Sequence, residues 1–255
     1  MEVHHHPDLH HKPKKWKEYL LEFLMIFLAV TLGFFAENLR ETIKDQNEIE
    51  ENIQSVLADL ESDVAHFNSV LNIETYSYAT ADSLINLLHN DISNTPEIYL
   101  YGRSVTANIS SSYANSKTFD LMKAAGTLKL IRPRKLLDSL GLYYVTFLAL
   151  SQQDNLVRLK QDAVNKTNYL LFDSYVFSQM KIEYESVNTS QSIIHPPFGH
   201  PALLSTDYKD VNEVALAYHY LASAEKFSCL LTQKQKILAE RLIEIIKQEY
   251  HLENE

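Results

Sequence analysis

The sequence predicts an all-α protein in which one N-terminal transmembrane helix continues into a long helix, followed by an antiparallel extracytoplasmic helical bundle. Three observations indicate this fold class. An almost uninterrupted apolar run occupies residues 19–36, helix-type apolar spacing dominates the remainder, and most prolines fall between the periodic stretches. The predicted domains are a His/Lys-rich cytoplasmic tail at 1–18, a transmembrane helix at 19–36 and an extracytoplasmic helical domain at 37–255.

The N-terminal tail is polar, contains two prolines and is rich in histidine. Its histidines are His4, His5, His6, His10 and His11. Imidazoles at this density can bind Zn, Cu or Ni, but the sequence shows no closing ligand and no supporting hydrogen-bond partner. We therefore expect a flexible tail without a specific metal, and metal binding stays an open alternative.

The apolar run YLLEFLMIFLAVTLGFFA has the length of a membrane span. At about 1.5 Å per residue it forms a helix of about 27 Å, close to the roughly 30 Å hydrocarbon core of a bilayer. A cleaved signal peptide would place Phe34 where a small residue is needed, so we expect an uncleaved anchor. Lysines cluster just before the run, and only Arg40 and Lys44 follow it closely, which predicts a cytoplasmic N-terminus.

Two features inside the run are candidate functional positions. Ala29, Gly33 and Ala36 form a strip of small residues on one face, a pattern that lets helix backbones approach closely in lipid. Small residues are also common in membrane spans without any packing role. Glu22 is the only charged residue of the run, and an intramembrane carboxylate suggests function, although its position near the lysines also allows it to reach the headgroups.

The segment after the anchor carries a heptad pattern. No Pro or Gly occurs between residues 37 and 90, so one continuous helix is permitted. The predicted buried seam consists of Ile53, Leu57, Leu60, Val64, Phe67 and Leu71, continued by Tyr78, Ala81, Ile85 and Leu88, with Glu74 as one polar interruption. Periodicity leaves open whether this seam packs against a second copy or against a later helix of the same chain.

A loop and a short helix are predicted next. Residues 91–112 are rich in Ser, Asn and Thr and contain Pro96 and Gly102, which is typical of a connecting loop. A helix is predicted over 118–125. It should end at Gly126, because a residue without a side chain suits a left-handed C-terminal position.

Two further helices are predicted in the C-terminal half. Pro133 should lie in the first turn of a helix that runs to about residue 184, followed by a Pro-rich loop at 185–206. Asp210 and Glu213 have the spacing of a capping box and would open the last helix, which should end near residue 250. Its predicted inward stripe is Tyr218, Leu221, Leu231, Leu238, Leu242 and Ile245.

Charge and cysteine content exclude several functional classes. The formal net charge is −10, and an acidic body is unsuited to nucleic acid, whose binding depends on Lys and Arg at phosphates. Cys229 is the single cysteine, so no internal disulfide can form. Its position among apolar residues in a helix predicts an inert thiol.

Two other polar groups are weaker candidates. One is a dense basic cluster formed by Lys129, Arg132, Arg134 and Lys135. It could hold an anion at a helix start, but we expect a solvated helix end whose charges pair with acidic neighbours. The other is the pair His195 and His200 around the loop PPFG, which lacks a carboxylate or Cys at metal-ligand spacing.

Signatures of common catalytic sites are missing from the sequence. It has no G-x-S-x-G elbow, no G-x-x-x-x-G-K-[ST] loop and no H-E-x-x-H motif, and its five glycines offer little material for a phosphate-binding loop. We expect no enzymatic activity and no cofactor. A site assembled from distant residues would escape this test.

The block HKPKKWKEYLLEFLMIFLAVTLGFFAENLRE resembles the N-terminal signature of a family of uncharacterised bacterial single-pass membrane proteins. The segment TFDLMKAAGTLKLIRPRKLLDSLGLYY is similar to a recurring part of their extracytoplasmic region. The resemblance covers about a quarter of the chain and implies single-pass topology and helical content. That family has no assigned activity, so the resemblance assigns no functional residue.

These observations together predict a non-catalytic, membrane-anchored helical protein that acts as an interaction, scaffold or accessory subunit. The expected location is the bacterial inner membrane, with the N-terminus cytoplasmic and the C-terminal domain periplasmic. Expected partners are the lipid bilayer and either a second copy or another envelope protein. Two alternatives stay open, namely an extracytoplasmic sensor that signals through a partner subunit, and an oligomeric channel or transport accessory in which Glu22 faces the pore.

Overall fold

A computed structural model describes residues 15–108, 110–186 and 189–252. Most of the predicted tail at 1–18, including its histidines, lies outside these residues. The chain divides into two units, the first ending at Glu50 and the second beginning at Glu51. The elements are α1 (Trp16–Asn90), α2 (Thr95–Ala107), α3 (Lys117–Ala125), α4 (Arg134–Thr167), α5 (Ser174–Gln179), β1 (Ile182–Ser186), β2 (Thr189–Ile194) and α6 (Tyr208–Glu249). The predicted all-α fold class is confirmed.

The first unit contains the apolar part of α1. Within this helix an 18-residue window is long and apolar enough to cross a membrane, and none of it is buried. A core helix of a soluble protein is usually covered by other elements, which this window is not. The predicted span at 19–36 therefore lies on a helix with the length and composition of a membrane span.

The second unit is a helical bundle built from the second half of α1 with α4 and α6. Ser77 of α1 contacts Glu225 of α6, whereas Glu61, earlier in α1, contacts Lys247, later in α6. These pairs show that α1 and α6 run antiparallel. The amide of Gln153 in α4 donates to Ala224 O at 2.9 Å, and α4 is likewise antiparallel to α6.

The buried seam of α1 repeats every seven residues and consists of two rows of side chains. One row is buried as predicted, and the other lies one residue earlier than predicted. Ile53, Leu60 and Phe67 are buried as predicted, whereas Leu57, Val64 and Leu71 are only half-buried. The second row of the seam lies one residue earlier, at Val56, Asp63, Val70, Ser77 and Leu84. Alternating steps of four and three residues are compatible with a row that starts at residue 56 or at residue 57. The row that starts at Val56 is buried because α4 and α6 pack against that side of α1, although this row includes the polar residues Asp63 and Ser77. Glu74 lies on the seam as predicted.

The predicted loop at 91–112 is wrong, because α2 occupies most of it. Pro96 lies in the first turn of α2, where its missing N–H costs nothing. Gly102 allows the ring of Phe172 to pack against the helix backbone, since a Cβ there would lie 2.5 Å from that ring. Burial of Ile98 and Tyr99 stabilises the helix despite its polar composition.

The short helix α3 agrees with the prediction. Gly126 ends it with φ 73°, a left-handed conformation that favours glycine. The next helix, α4, begins at Arg134 directly after Pro133.

The long helix predicted to residue 184 is wrong beyond Thr167. The chain turns through a 3-10 segment at Asn168–Leu170 and buries Leu171 and Phe172. Asp173 then begins α5 by accepting a hydrogen bond from the backbone N–H of Tyr175 at 2.8 Å. Local capping and the burial of two adjacent apolar residues override the helical spacing.

An antiparallel hairpin of β1 and β2 replaces the end of the helix predicted to residue 184 and the first part of the predicted loop at 185–206. Its pairing aligns Ile182 with Ile194 and Glu183 with Ile193. Met180 and Ile194 are buried against the bundle, so packing against helices supports the hairpin.

The last helix has nearly the predicted extent, but its predicted capping box is wrong. Asp207 is the N-cap residue and makes no side-chain capping bond, while Asp210 accepts a hydrogen bond from the Ser205 hydroxyl at 2.6 Å. Of the predicted stripe, Tyr218, Leu221 and Leu242 are buried, and Leu231, Leu238 and Ile245 are half-buried.

Candidate functional site

The interior of the bundle contains a set of buried polar side chains contributed by all three long helices. They are Glu74 and Ser77 of α1, Asp154 and Gln161 of α4, and Glu225 and Ser228 of α6. Each is on a helix face that otherwise packs apolar side chains. Burying a carboxylate is costly unless it is paired or protonated, so these residues mark an unusual part of the core.

Glu225 is 5% exposed and has one hydrogen-bond partner on α1. The Ser77 hydroxyl donates to Glu225 Oε1 at 2.8 Å. Burial, together with the nearby charge of Glu74, raises the pKa of the Glu225 carboxyl from 4.5 to about 8. The carboxyl is therefore mostly protonated at neutral pH.

Glu74 is even less exposed, at 2%. Burial raises the pKa of its carboxyl to about 7, and the hydroxyl of Ser228 partly opposes that shift. Asp154 accepts a short hydrogen bond of 2.6 Å from the backbone N–H of Ser112, and burial also raises its pKa. Three acids from α1, α4 and α6 thus lie in one low-dielectric region and disfavour simultaneous ionisation.

A cavity of about 410 Å³ adjoins this polar region. Its volume lies within the range typical of small-molecule sites. The side chains around it include Asn108, Ser110, Val157, Arg158, Gln161 and Glu225. Asn108 is rigidly placed, because its Oδ1 accepts from Ser192 N at 2.7 Å and its Nδ2 donates to Ser104 O at 2.9 Å. The wall of the cavity thereby includes a fixed amide from the end of α2.

Two buried polar atoms of the cavity wall have no hydrogen-bond partner among the described residues. They are Glu225 Oε2 and Gln161 Nε2. Gln161 is only 6% exposed, so its amide nitrogen is shielded from bulk solvent. Leaving such a group unpaired costs roughly 1–3 kcal/mol, which makes each atom a candidate ligand contact. The cavity therefore presents a carboxyl group and an amide donor that the protein itself does not satisfy.

Cys229 lies beside Glu74 and agrees with the prediction of an unreactive thiol. Burial, and then the charge of Glu74, raises the pKa of the Cys229 thiol to about 12. A thiol with this pKa carries almost no thiolate at neutral pH and is a poor nucleophile. Among the residues that the structure describes, no group of three His, Cys, Asp or Glu could hold a metal ion.

The candidate positions of the apolar run lie in the first unit, away from the polar residues of the bundle in sequence. Ala29, Gly33 and Ala36 share one exposed face of α1, and a Cβ on Gly33 would meet nothing within 4 Å. Glu22 is also exposed on α1. Helix packing by the strip and a pore role for Glu22 both stay predictions.

The basic cluster is spread over the connection into α4. Lys129, Arg132, Arg134 and Lys135 are all exposed. The Arg132 guanidinium donates to the backbone carbonyls of Lys129 at 2.7 Å and Ile131 at 3.0 Å, so this side chain stabilises the turn. Within the described ranges none of the four forms a salt bridge, which departs from the expected pairing with acidic neighbours.

The two histidines of the Pro-rich loop are not brought together as ligands. His195 Nε2 lies 3.3 Å from Glu183 Oε1 across the hairpin, a carboxylate that the sequence analysis did not connect to it. Lys181 pairs with the same carboxylate and holds its pKa below the usual range. His200 is exposed.

A second unusual surface of the bundle is apolar and exposed, and we call it the α4 face. It consists of Leu142, Val145, Leu148, Leu156 and Leu159, which are 41–65% exposed. Their spacing places them on one side of α4, opposite the residues that α4 buries. A cleft of about 540 Å³ that includes Phe119 and Tyr144 adjoins Val145 and Leu148. This face does not follow from the sequence, because helical spacing alone assigns all apolar residues of α4 to the core.

Comparisons with protein-family models, with curated proteins and with solved structures return no match to this chain. The resemblance to the family of bacterial single-pass membrane proteins stays a prediction from the sequence.

Proposed function

We propose that this chain is a non-catalytic, single-pass membrane protein whose helical body acts as an interaction subunit in the bacterial cell envelope. The N-terminus faces the cytoplasm and the body lies in the periplasm. The first partner is a second copy of the chain, and the alternative is another envelope protein.

The α4 face is the observation that carries the interaction role. Large exposed apolar patches mark binding sites, and Leu142, Val145 and Leu148 form the uninterrupted part of this face, which exposed Gln152 separates from Leu156 and Leu159. Five Leu and Val side chains lie on one side of α4, and the adjoining cleft adds aromatic rings. Anchoring restricts copies to one plane and one orientation, which raises their effective concentration for self-association.

The anchor rests on the apolar window of α1 and on the lysines that precede it. Reporter fusions test the orientation. A periplasm-dependent phosphatase fused after Glu255 should be active, and a reporter that matures only in the cytoplasm should be inactive there. The reverse pattern would refute the proposed topology.

The interaction role is tested by native mass spectrometry of the full chain in mild detergent. We expect the unmodified protein to be an oligomer, and the double variant Val145→Lys, Leu148→Lys to lose association at least about tenfold, because buried unpaired ammonium groups are costly. The matched control is Gln233→Lys, an exposed polar position on α6. An unmodified protein that is monomeric without a bound protein would exclude the proposal, and a heteromeric assembly with the same sensitivity would identify the partner as another protein.

A further inference from the structure

The polar cavity of the bundle has the chemical features of a ligand site that the interaction role does not use. It has about 410 Å³ of space between α4, α6 and the segment after α2. Its two unpaired atoms, Glu225 Oε2 and Gln161 Nε2, belong to side chains that are 5% and 6% exposed. Most buried polar side-chain atoms have a hydrogen-bond partner, so a ligand that reaches both of these atoms would be stabilised by them.

We propose that this cavity binds a small zwitterion of the α-amino-acid type. The Glu225 carboxylate receives the ammonium group, and the Gln161 amide donates to the carboxylate of the ligand. Arg158, which also lines the cavity, supplies a guanidinium for the same carboxylate.

The three contacts match the two charges of such a ligand. Glu225 is held on α6 by the Ser77 hydroxyl, which binds its other oxygen, Oε1. Arg158 is oriented by a hydrogen bond of 2.9 Å to the Ser111 hydroxyl, and its planar fork can bind a carboxylate. An acid and a cation in one cavity favour a ligand that carries both opposite charges, because its ammonium group pairs with the buried Glu225 carboxyl and its carboxylate pairs with the exposed Arg158 guanidinium.

The charged surroundings favour an ammonium group at Glu225. The titratable and charged groups around that carboxyl are Glu74 on α1, Arg158 and Asp162 on α4, and Lys226 and Cys229 on α6, and Asp154 on α4 acts in turn on Glu74. Lys226 pairs with Asp82 at 2.7 Å on the surface. Acidic groups from α1 and α4 therefore dominate the buried side, and a bound cation relieves their mutual repulsion.

Ligand binding has a proton signature that follows from this geometry. Before a ligand binds, burial keeps Glu225 mostly protonated at pH 7, since its pKa is about 8. An ammonium group at hydrogen-bond distance stabilises the carboxylate, so the Glu225 proton is transferred to buffer when the ligand binds.

The experiment is isothermal titration calorimetry of the full chain in detergent with each common α-amino acid, near neutral pH. For any amino acid that binds, the analogues that lack its amine or its carboxylate should bind at least about tenfold more weakly. Repeating the titration in buffers of different ionisation enthalpy should reveal release of most of one proton per site.

Three variants separate the ligand contacts from folding. Glu225→Gln should weaken binding at least about tenfold and abolish proton release, and Gln161→Ala should weaken binding while retaining proton release. Glu213→Gln changes an exposed glutamate on the same helix and should match the unmodified protein. The proposal is overturned if no amino acid binds at millimolar concentration, if a simple amine binds equally well, or if Glu225→Gln leaves affinity and proton release unchanged.

Discussion

Replacing Glu225 by Gln should make the protein less sensitive to alkaline pH. The folded pKa of this carboxyl, about 8, lies above the ordinary value of 4.5 that applies to the unfolded chain. Between these values the folded state binds more protons than the unfolded state. The free energy of unfolding therefore falls as pH rises from about 4.5 to about 8, and levels off above that.

The expected loss of unfolding free energy can be calculated for the pH range that the experiment covers. From about pH 6 to about pH 9 the slope declines from about 1.4 kcal/mol per pH unit to near zero as the carboxyl ionises, so the loss is about 2.7 kcal/mol in total. Glu74, with a pKa of about 7, adds a smaller loss of about 1 kcal/mol over the same range. Glu225→Gln removes the Glu225 contribution, which is the larger of the two pH-dependent losses of unfolding free energy. The amide has nearly the same shape as the carboxyl and stays beside Ser77.

Denaturant unfolding of the full chain in detergent, followed by circular dichroism at about pH 6 and about pH 9, measures this difference. The unmodified protein and the Glu213→Gln control should lose several kcal/mol between the two pH values, and Glu225→Gln should lose roughly 3 kcal/mol less. Equal losses in all three proteins would show that Glu225 is not buried in its neutral form, and the description of the polar region would then be wrong.

Two further predictions concern packing. Leu60→Ala should cost about 2–5 kcal/mol of unfolding free energy because it opens a cavity in the seam. Glu61→Ala removes only a half-exposed ion pair with Lys247 and should cost at most about 1 kcal/mol. Equal denaturation midpoints for the two variants would contradict the seam. Gly102→Ala should cost about 1–3 kcal/mol because its methyl group would lie 2.5 Å from the Phe172 ring, whereas Gly141→Ala, with nothing within 4 Å, should stabilise α4 by up to about 1 kcal/mol. Melting temperatures that shift equally for both glycines would refute this contrast.

The helices that the sequence predicts best are those with long, uninterrupted periodicity. The extent of α1 from the apolar run through Leu88 and the end of α6 near Glu249 follow from apolar spacing and the absence of Pro. The phase of the seam does not follow, because residues 56 and 57 both satisfy the spacing. Only the directions from which α4 and α6 approach decide that Val56 is buried and Leu57 is half-buried.

Short elements escaped prediction because tertiary contacts stabilise them. The α2 segment reads as a loop from its Ser, Thr and Pro content, yet Tyr99 is buried and donates through its hydroxyl to Ala202 O at 3.0 Å. The hairpin after α5 depends in the same way on a neighbour, since Asn108 at the end of α2 accepts from Ser192 N. Sequence windows of ordinary length contain neither partner.

The candidate site could be predicted only in part. Glu74 stood out as a polar residue within an apolar seam, and Cys229 stood out as the single thiol. Glu225 and Gln161 carry no such signal, because isolated polar residues in long helices are usually exposed. Ser77 and Glu225 are separated by 148 positions in sequence, so their contact becomes visible only when α1 and α6 pack.

The polar contacts inside the bundle also determine the axial alignment of its helices. A heptad seam of Leu, Ile and Val alone would tolerate a slip of one heptad, about 10 Å, because every apolar row would meet another one. Such a slip would separate Ser77 from Glu225 and would remove the Tyr143 hydroxyl from Asp63, which it reaches at 2.7 Å. Each misaligned state would then bury acids without their hydrogen-bond partners, which costs free energy. The buried acids that make the core less stable at high pH therefore also favour one axial alignment of the helices over the shifted ones.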